Sequence, residues 1–126
     1  MRINTQDYND ITVVTLQGEL DADAVDTLRN TITDIINLKT EGLAGDEMVS
    51  PAVRKNGIVL DMNNVGFIDG QGLEFLLWTR DYCNENQCQF RLAGLDENCS
   101  KILEITRLNN EFACYIELTE AVKSFA

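Results

Sequence analysis

Hydrophobic and polar positions along the chain fall into segments of period two and period three-to-four, in turn. Ile3 to Tyr8 reads as an edge strand closed by a turn at Asn9-Asp10. Ile11 to Leu16 (ITVVTL) is apolar and β-branched, as a buried strand requires, and it stops at Gln17-Gly18. Ala24, Val25, Leu28, Ile32, Ile35 and Ile36 then recur at the spacing that lines one face of an amphipathic helix. Asp21 and Asp23 stand where its cap belongs, and together with Asp26 they suit the positive end of the helix dipole.

Lys39 to Asn56 breaks the pattern. It holds Gly42, Gly45, Ser50 and the chain's one proline, Pro51, and has no clear period, so it reads as an insertion loop over 39–56. Ser50-Pro51 fits the start of one short helical turn, and Leu43, Met48 and Val49 suggest a packed or partner-facing loop. Gly57 to Met62 is a central strand, followed by a connection, Asn63 to Gly70, that carries Phe67 and Ile68. A second helix is predicted over Gln71 to Asn84, with Leu73, Leu76, Leu77, Arg80 and Cys83 on one stripe, Trp78 at its border and Asp69 as cap. Gln89 to Ala93 alternates like a strand. Asp96 caps a third helix bearing Cys99, Ile102, Leu103 and Thr106. Phe112 to Ile116 is a short last strand, and Thr119 to Phe125 a closing helix with Thr119 as cap. The order β-β-α-β-α-β-α-β-α predicts an α/β fold with a mostly parallel sheet, in one domain spanning 1–126.

Charge and composition narrow the function by exclusion. The 126 residues include 21 acids and 10 bases, a net charge of -11. That disfavours nucleic acid, whose binding rests on Lys and Arg neutralising phosphates, and anionic membrane surfaces. With no histidine, imidazole-based triads are excluded, and none of the four cysteines forms a CxxC pair. No catalytic centre, cofactor or metal site is expected. No signal segment opens the chain and no apolar run approaches about 18 residues, so a cytoplasmic protein without membrane insertion is expected. Its cysteines are then thiols buried as small hydrophobes.

In an α/β sheet, function gathers in the loops after the carboxyl ends of strands. Two segments qualify: Gln17-Gly18-Glu19-Leu20-Asp21, and Asp61 to Leu73 (DMNNVGFIDGQGL). In the second, Asp69-Gly70-Gln71-Gly72 opens a helix, where free backbone N–H groups and bare glycines let another molecule approach. The same residues equally describe a cap in a tight loop, and physics alone leaves both readings open. A dinucleotide site is rejected, since Phe75 stands where a third glycine belongs. A receiver-like phospho-acceptor at Asp61 is a weaker alternative, with Glu19, Asp21 and Asp23 as acids for magnesium.

The two segments resemble the STAS family, the domains of sulfate transporters and anti-sigma factor antagonists. Val13-Val14-Thr15-Leu16-Gln17-Gly18-Glu19-Leu20-Asp21 is similar to the family's second strand and its G-E-L-D turn. Ile58-Val59-Leu60-Asp61-Met62-Asn63-Asn64-Val65-Gly66-Phe67-Ile68-Asp69 is similar to its L-D-L-S-x-V-x-F-[IM]-D segment, and Gly72-Leu73 to the G-L that opens the next helix. Arg91-Leu92-Ala93-Gly94 and Ile102 to Leu108 fit the later strand and helix. The resemblance implies a STAS-type (SpoIIAA-like) fold, a small mixed, mostly parallel sheet with an antiparallel first strand and helices covering one face. It further implies a non-catalytic module in partner switching, which binds a kinase-like anti-sigma factor and so frees a sigma factor. The implied contact surface is Asp21 and Asp23 beside Asp69, Gly70, Gln71 and Gly72.

The family's phospho-switch is a Ser or Thr in D-S-[ST]-G-L, and this chain reads Asp69-Gly70-Gln71-Gly72-Leu73. Gln71 has no hydroxyl, so the position cannot be phosphorylated, and a constitutive binder, or one regulated elsewhere, is expected. A separate accessory subunit of a membrane transporter ATPase is the alternative function. Nucleotide binding has no specific support in the sequence.

Overall fold

The computed structural model describes residues 1–8, 10–44 and 57–125, with 39–44 as backbone. Five strands, β1 (Arg2–Tyr8), β2 (Ile11–Leu20), β3 (Gly57–Ile68), β4 (Gln89–Ala93) and β5 (Ala113–Tyr115), lie in the order of the chain. β1 is antiparallel to β2, and the remaining neighbours are parallel. Four helices connect and close them: α1 (Ala22–Ala44), α2 (Gly70–Glu85), α3 (Glu97–Ile105) and α4 (Leu118–Lys123).

Period two in the strands divides the apolar residues between two faces. Val14, Leu16, Ile58, Leu60, Met62 and Leu92 meet Leu28, Ile32 and Ile36 of α1, Phe75 and Leu76 of α2 and Leu103 of α3 in one buried cluster. Each such side chain contributes about 1.5–3 kcal/mol on burial, so this face carries most of the apolar stabilisation. Val13, Val59 and Ala93 point the other way and pack against Ala121 and Phe125 in a smaller cluster. Three helices thus cover one face, and the short α4 seats on the opposite one. Its seat is Gly57, where a Cβ would fall 2.0 Å from the Phe125 ring. The Arg91 guanidinium stacks on that ring at 3.8 Å from its centroid.

Several boundaries differ from the sequence pattern. β2 and β3 do not end at Leu16 and Met62 but run on to Leu20 and Ile68. Their polar and glycine residues there are held by pairing between the two strands. α1 continues through Ala44, so the first six positions of the expected 39–56 loop are helical, while the remaining positions, with Ser50-Pro51, Met48 and Val49, lie outside the described residues. So does Asn9 of the expected turn. α4 starts at Leu118 after Glu117, which makes no side-chain cap bond, and Thr119 lies inside the helix rather than capping it. Asp96 does cap α3, its Oδ1 accepting from the Cys99 amide at 2.8 Å. Cys83, Cys88 and Cys99 are buried and Cys114 is exposed.

Candidate functional site

β2 and β3 outrun the rest of the sheet. β4 ends at Ala93 opposite Asp61, whereas β2 and β3 continue to pair through Gln17–Asn64, Gly18–Val65 and Leu20–Ile68. The register slips twice, so that Leu16 faces Met62 and Asn63, and Glu19 faces Gly66 and Phe67. Each slip is a β-bulge in β3, which increases local twist and re-aims side chains. The ribbon is closed at its tip by the Asp69 amide, which donates to the Leu20 carbonyl at 3.1 Å. From below it is held by Cys99 of α3, whose thiol donates to the Val65 carbonyl at 3.3 Å. Burial, then the hydrogen bond and charge of Asp96, push that thiol up to about 12.

Both helices that begin at this tip are organised by Asp69. Its Oδ1 accepts from the Gly72 amide at 2.8 Å, the N-cap bond of α2, and its Oδ2 accepts from the Ala22 amide at 3.3 Å, at the start of α1. One carboxylate thereby satisfies unpaired donors of two helices, where a negative charge also suits both dipoles. Asp21 completes the α1 start: its Oδ1 accepts from the Asp23 amide at 3.1 Å and its carbonyl from the Ala24 amide at 3.1 Å. Of the two acids expected to cap α1, only Asp21 does so. Asp23 lies in the first turn with its side chain exposed.

Gly72 is buried rather than displayed. A Cβ there would stand 2.3 Å from the Leu20 carbonyl oxygen and 2.9 Å from Ile68 Cγ2. Its part is the close approach of α2 to the ribbon. Gly70 and Gln71, by contrast, are exposed. The six residues singled out from the sequence therefore gather at one end of the molecule. Asp23, Gly70 and Gln71 face outward, Asp21 and Asp69 are half-buried in cap bonds, and Gly72 lies beneath.

Asp61, the alternative acceptor, is not at a strand end. It lies within β3, 8% exposed, and its Oδ1 accepts from the Asn63 amide at 3.2 Å and from Asn63 Nδ2 at 2.8 Å. The strand end lies at Ile68 because ribbon pairing with β2 carries β3 past Asp61. Among the described residues no three His, Cys, Asp or Glu side chains gather to hold a metal ion. Nor is any described helix long and apolar enough to cross a membrane.

Phe67, expected as an apolar residue of a connection, and Glu19, expected as an acid of the Asp61 alternative, lie opposite each other in the ribbon. Phe67 is 47% exposed at the second bulge, opposite Glu19. Strict alternation from the buried Val65 would turn Phe67 inward, and the bulge turns it out, so no local signal marked it.

Solved structures share this architecture. An anti-sigma factor antagonist from Mycobacterium paratuberculosis superposes with a TM-score of 0.76 at 19% identity, covering 98% of this chain and 92% of that one. The anti-sigma factor antagonist SpoIIAA in its unphosphorylated form gives 0.72 at 18% identity, covering 98% and 95%, and the Bacillus protein has also been solved phosphorylated. A sulfate transporter family protein from Wolinella succinogenes gives 0.69 at 13% identity, covering 94% and 86%. At these identities the likeness is one of fold. The family model of the STAS domain matches residues 2–122, and the chain belongs to that family.

Proposed function

We propose that this protein is a non-catalytic regulatory binding module of the anti-sigma factor antagonist type, acting by partner switching in the cytoplasm to control transcription. Its partner is a kinase-like anti-sigma factor, and the contact surface is the end formed by Asp21, Asp23, Asp69, Gly70, Gln71 and Gly72. The observation that supports this reading is the Asp69 carboxylate, which ties the starts of α1 and α2 together, where Asp23 and Gln71 are each exposed. The polar groups of that end are cap carboxylates and hydrogen-bonding amides.

Gln71 fixes the regulatory state. A phosphorylated Ser or Thr at this position adds about −1.5 to −2 charge to a protein contact. Gln71 offers a neutral amide that donates and accepts, and nothing a kinase can modify. The module is therefore always competent to bind, or is regulated at another position.

Affinity capture with the wild-type chain, followed by mass spectrometry, tests the reading. An anti-sigma factor with a kinase fold supports it. The likeness to a sulfate transporter family protein favours a second reading, an accessory subunit of a transporter, and capture of a transporter ATPase decides for that one.

A further inference from the structure

We infer that Phe67 is the apolar anchor of this binding face, and that it seats in an apolar slot on a protein whose contact surface is positively charged. The inference rests on the reading that the α1–α2 end binds a protein, and it adds the anchor and the partner's surface chemistry. Scattered exposed hydrophobics are ordinary, and Leu38, Ile105 and Ile116 are more exposed than Phe67. What sets Phe67 apart is its surroundings. It is turned outward by a bulge two positions before Asp69, the residue that organises the site.

It is also bracketed by two glycines that the fold itself does not require. Gly18 and Gly94 have positive φ, and Gly57 and Gly72 face packed atoms within 3 Å of a Cβ. At Gly66 and Gly70 a Cβ would meet nothing within 4 Å, and neither has positive φ. Glycine within a strand or at a helix start costs backbone entropy without return from packing. Bare backbone on both sides of Phe67 does, however, let a second molecule come close, which is where glycine is used next to bound partners.

Charge selects the partner. No Lys or Arg occurs in residues 3–28 or 56–79, the stretches that build this end, whereas Glu19, Asp21, Asp23, Asp26, Asp69 and Glu74 all do. Arg2, which pairs opposite Gln17, is outnumbered by these acids, and the net negative field repels nucleic acid and anionic lipid and attracts a basic protein surface. An aromatic ring within such a rim matches the arrangement of a buried anchor with polar groups around it.

The test is calorimetric titration of the purified protein identified by capture, using wild type, Phe67→Ala, Gly66→Val and Gln71→Glu at low and high NaCl. Ile105→Ala, on the far end of α3, is the control. Phe67→Ala and Gly66→Val are expected to weaken binding by about ten-fold or more with unchanged thermal midpoints, and wild-type affinity to fall with salt. If Gln71→Glu weakens binding while Phe67→Ala and Gly66→Val match wild type, the anchor is wrong and the functional reading stands. If all three bind like wild type, or no protein is retained, both are wrong. Gly66→Val fills open space in a strand, so it remains readable should Phe67→Ala fold poorly.

Discussion

The carboxylate of Asp69 accepts a hydrogen bond from the amide of Ala22, 47 positions earlier in the chain, while its other oxygen caps its own helix at Gly72. Two loops distant in sequence thereby become one surface. This bond and the Asp69 amide on Leu20 draw together the start of α1, which bears Asp23, and the start of α2, which bears Gln71.

Removing that carboxylate should cost stability at both helices. Asp69→Ala is expected to destabilise by about 1–2 kcal/mol, the loss of an N-cap and part of a second. Asp69→Asn keeps one acceptor oxygen and should cost less. Urea unfolding of the three proteins measures the order; equal midpoints for wild type and Asp69→Ala would contradict the double-cap account.

The two glycines that flank Gln71 should respond oppositely. Gly72→Ala drives a methyl into the Leu20 carbonyl and Ile68, and overpacking of this kind costs about 1–3 kcal/mol. Gly70→Ala enters open space at the start of α2 and should be neutral or stabilising by up to about 1 kcal/mol. Thermal denaturation of both variants separates them.

Much of this was legible in the chain, and what was not has a physical reason. β4 runs from Gln89 to Ala93 as alternation predicts, and Asp69 and Asp96 are caps because an Asp before an apolar period has few other uses. The ends of β2 and β3 were hidden. Gln17-Gly18 and Asn63-Asn64 carry turn residues, yet they remain extended because each strand is the other's pairing partner. Long-range pairing of this sort leaves no local mark. The two bulges were invisible for the same reason, and with them the outward turn of Phe67. Nor does any local pattern disclose that Asp69 reaches Ala22, or that Phe125 docks α4 over Gly57 on the far face.

The thiols should differ in reactivity. Cys114 is exposed, whereas Cys99 is buried on Val65 and its thiol is held up to about 12. Iodoacetamide at pH 8 should label Cys114 first and Cys99 only on unfolding, as peptide mapping will show. The raised thiol also makes stability pH-dependent. Between its unfolded value of 9.0 and its folded value of about 12 the folded state holds the extra proton, so stability falls as pH rises across that range. Cys99→Ala should flatten this loss in unfolding curves taken at pH 8 and pH 11.

The central claim is that this domain binds its partner with a contact surface that phosphorylation cannot switch off at position 71. The direct measurement is titration of the purified anti-sigma kinase with the domain, before and after incubation of the pair with ATP, with mass spectrometry of the Asp69–Leu73 peptide. Wild type is expected to bind with the same affinity in both cases and to carry no phosphate there, while Gln71→Glu, with its added charge, binds more weakly. Loss of binding on ATP treatment together with phosphate on that peptide would contradict the account.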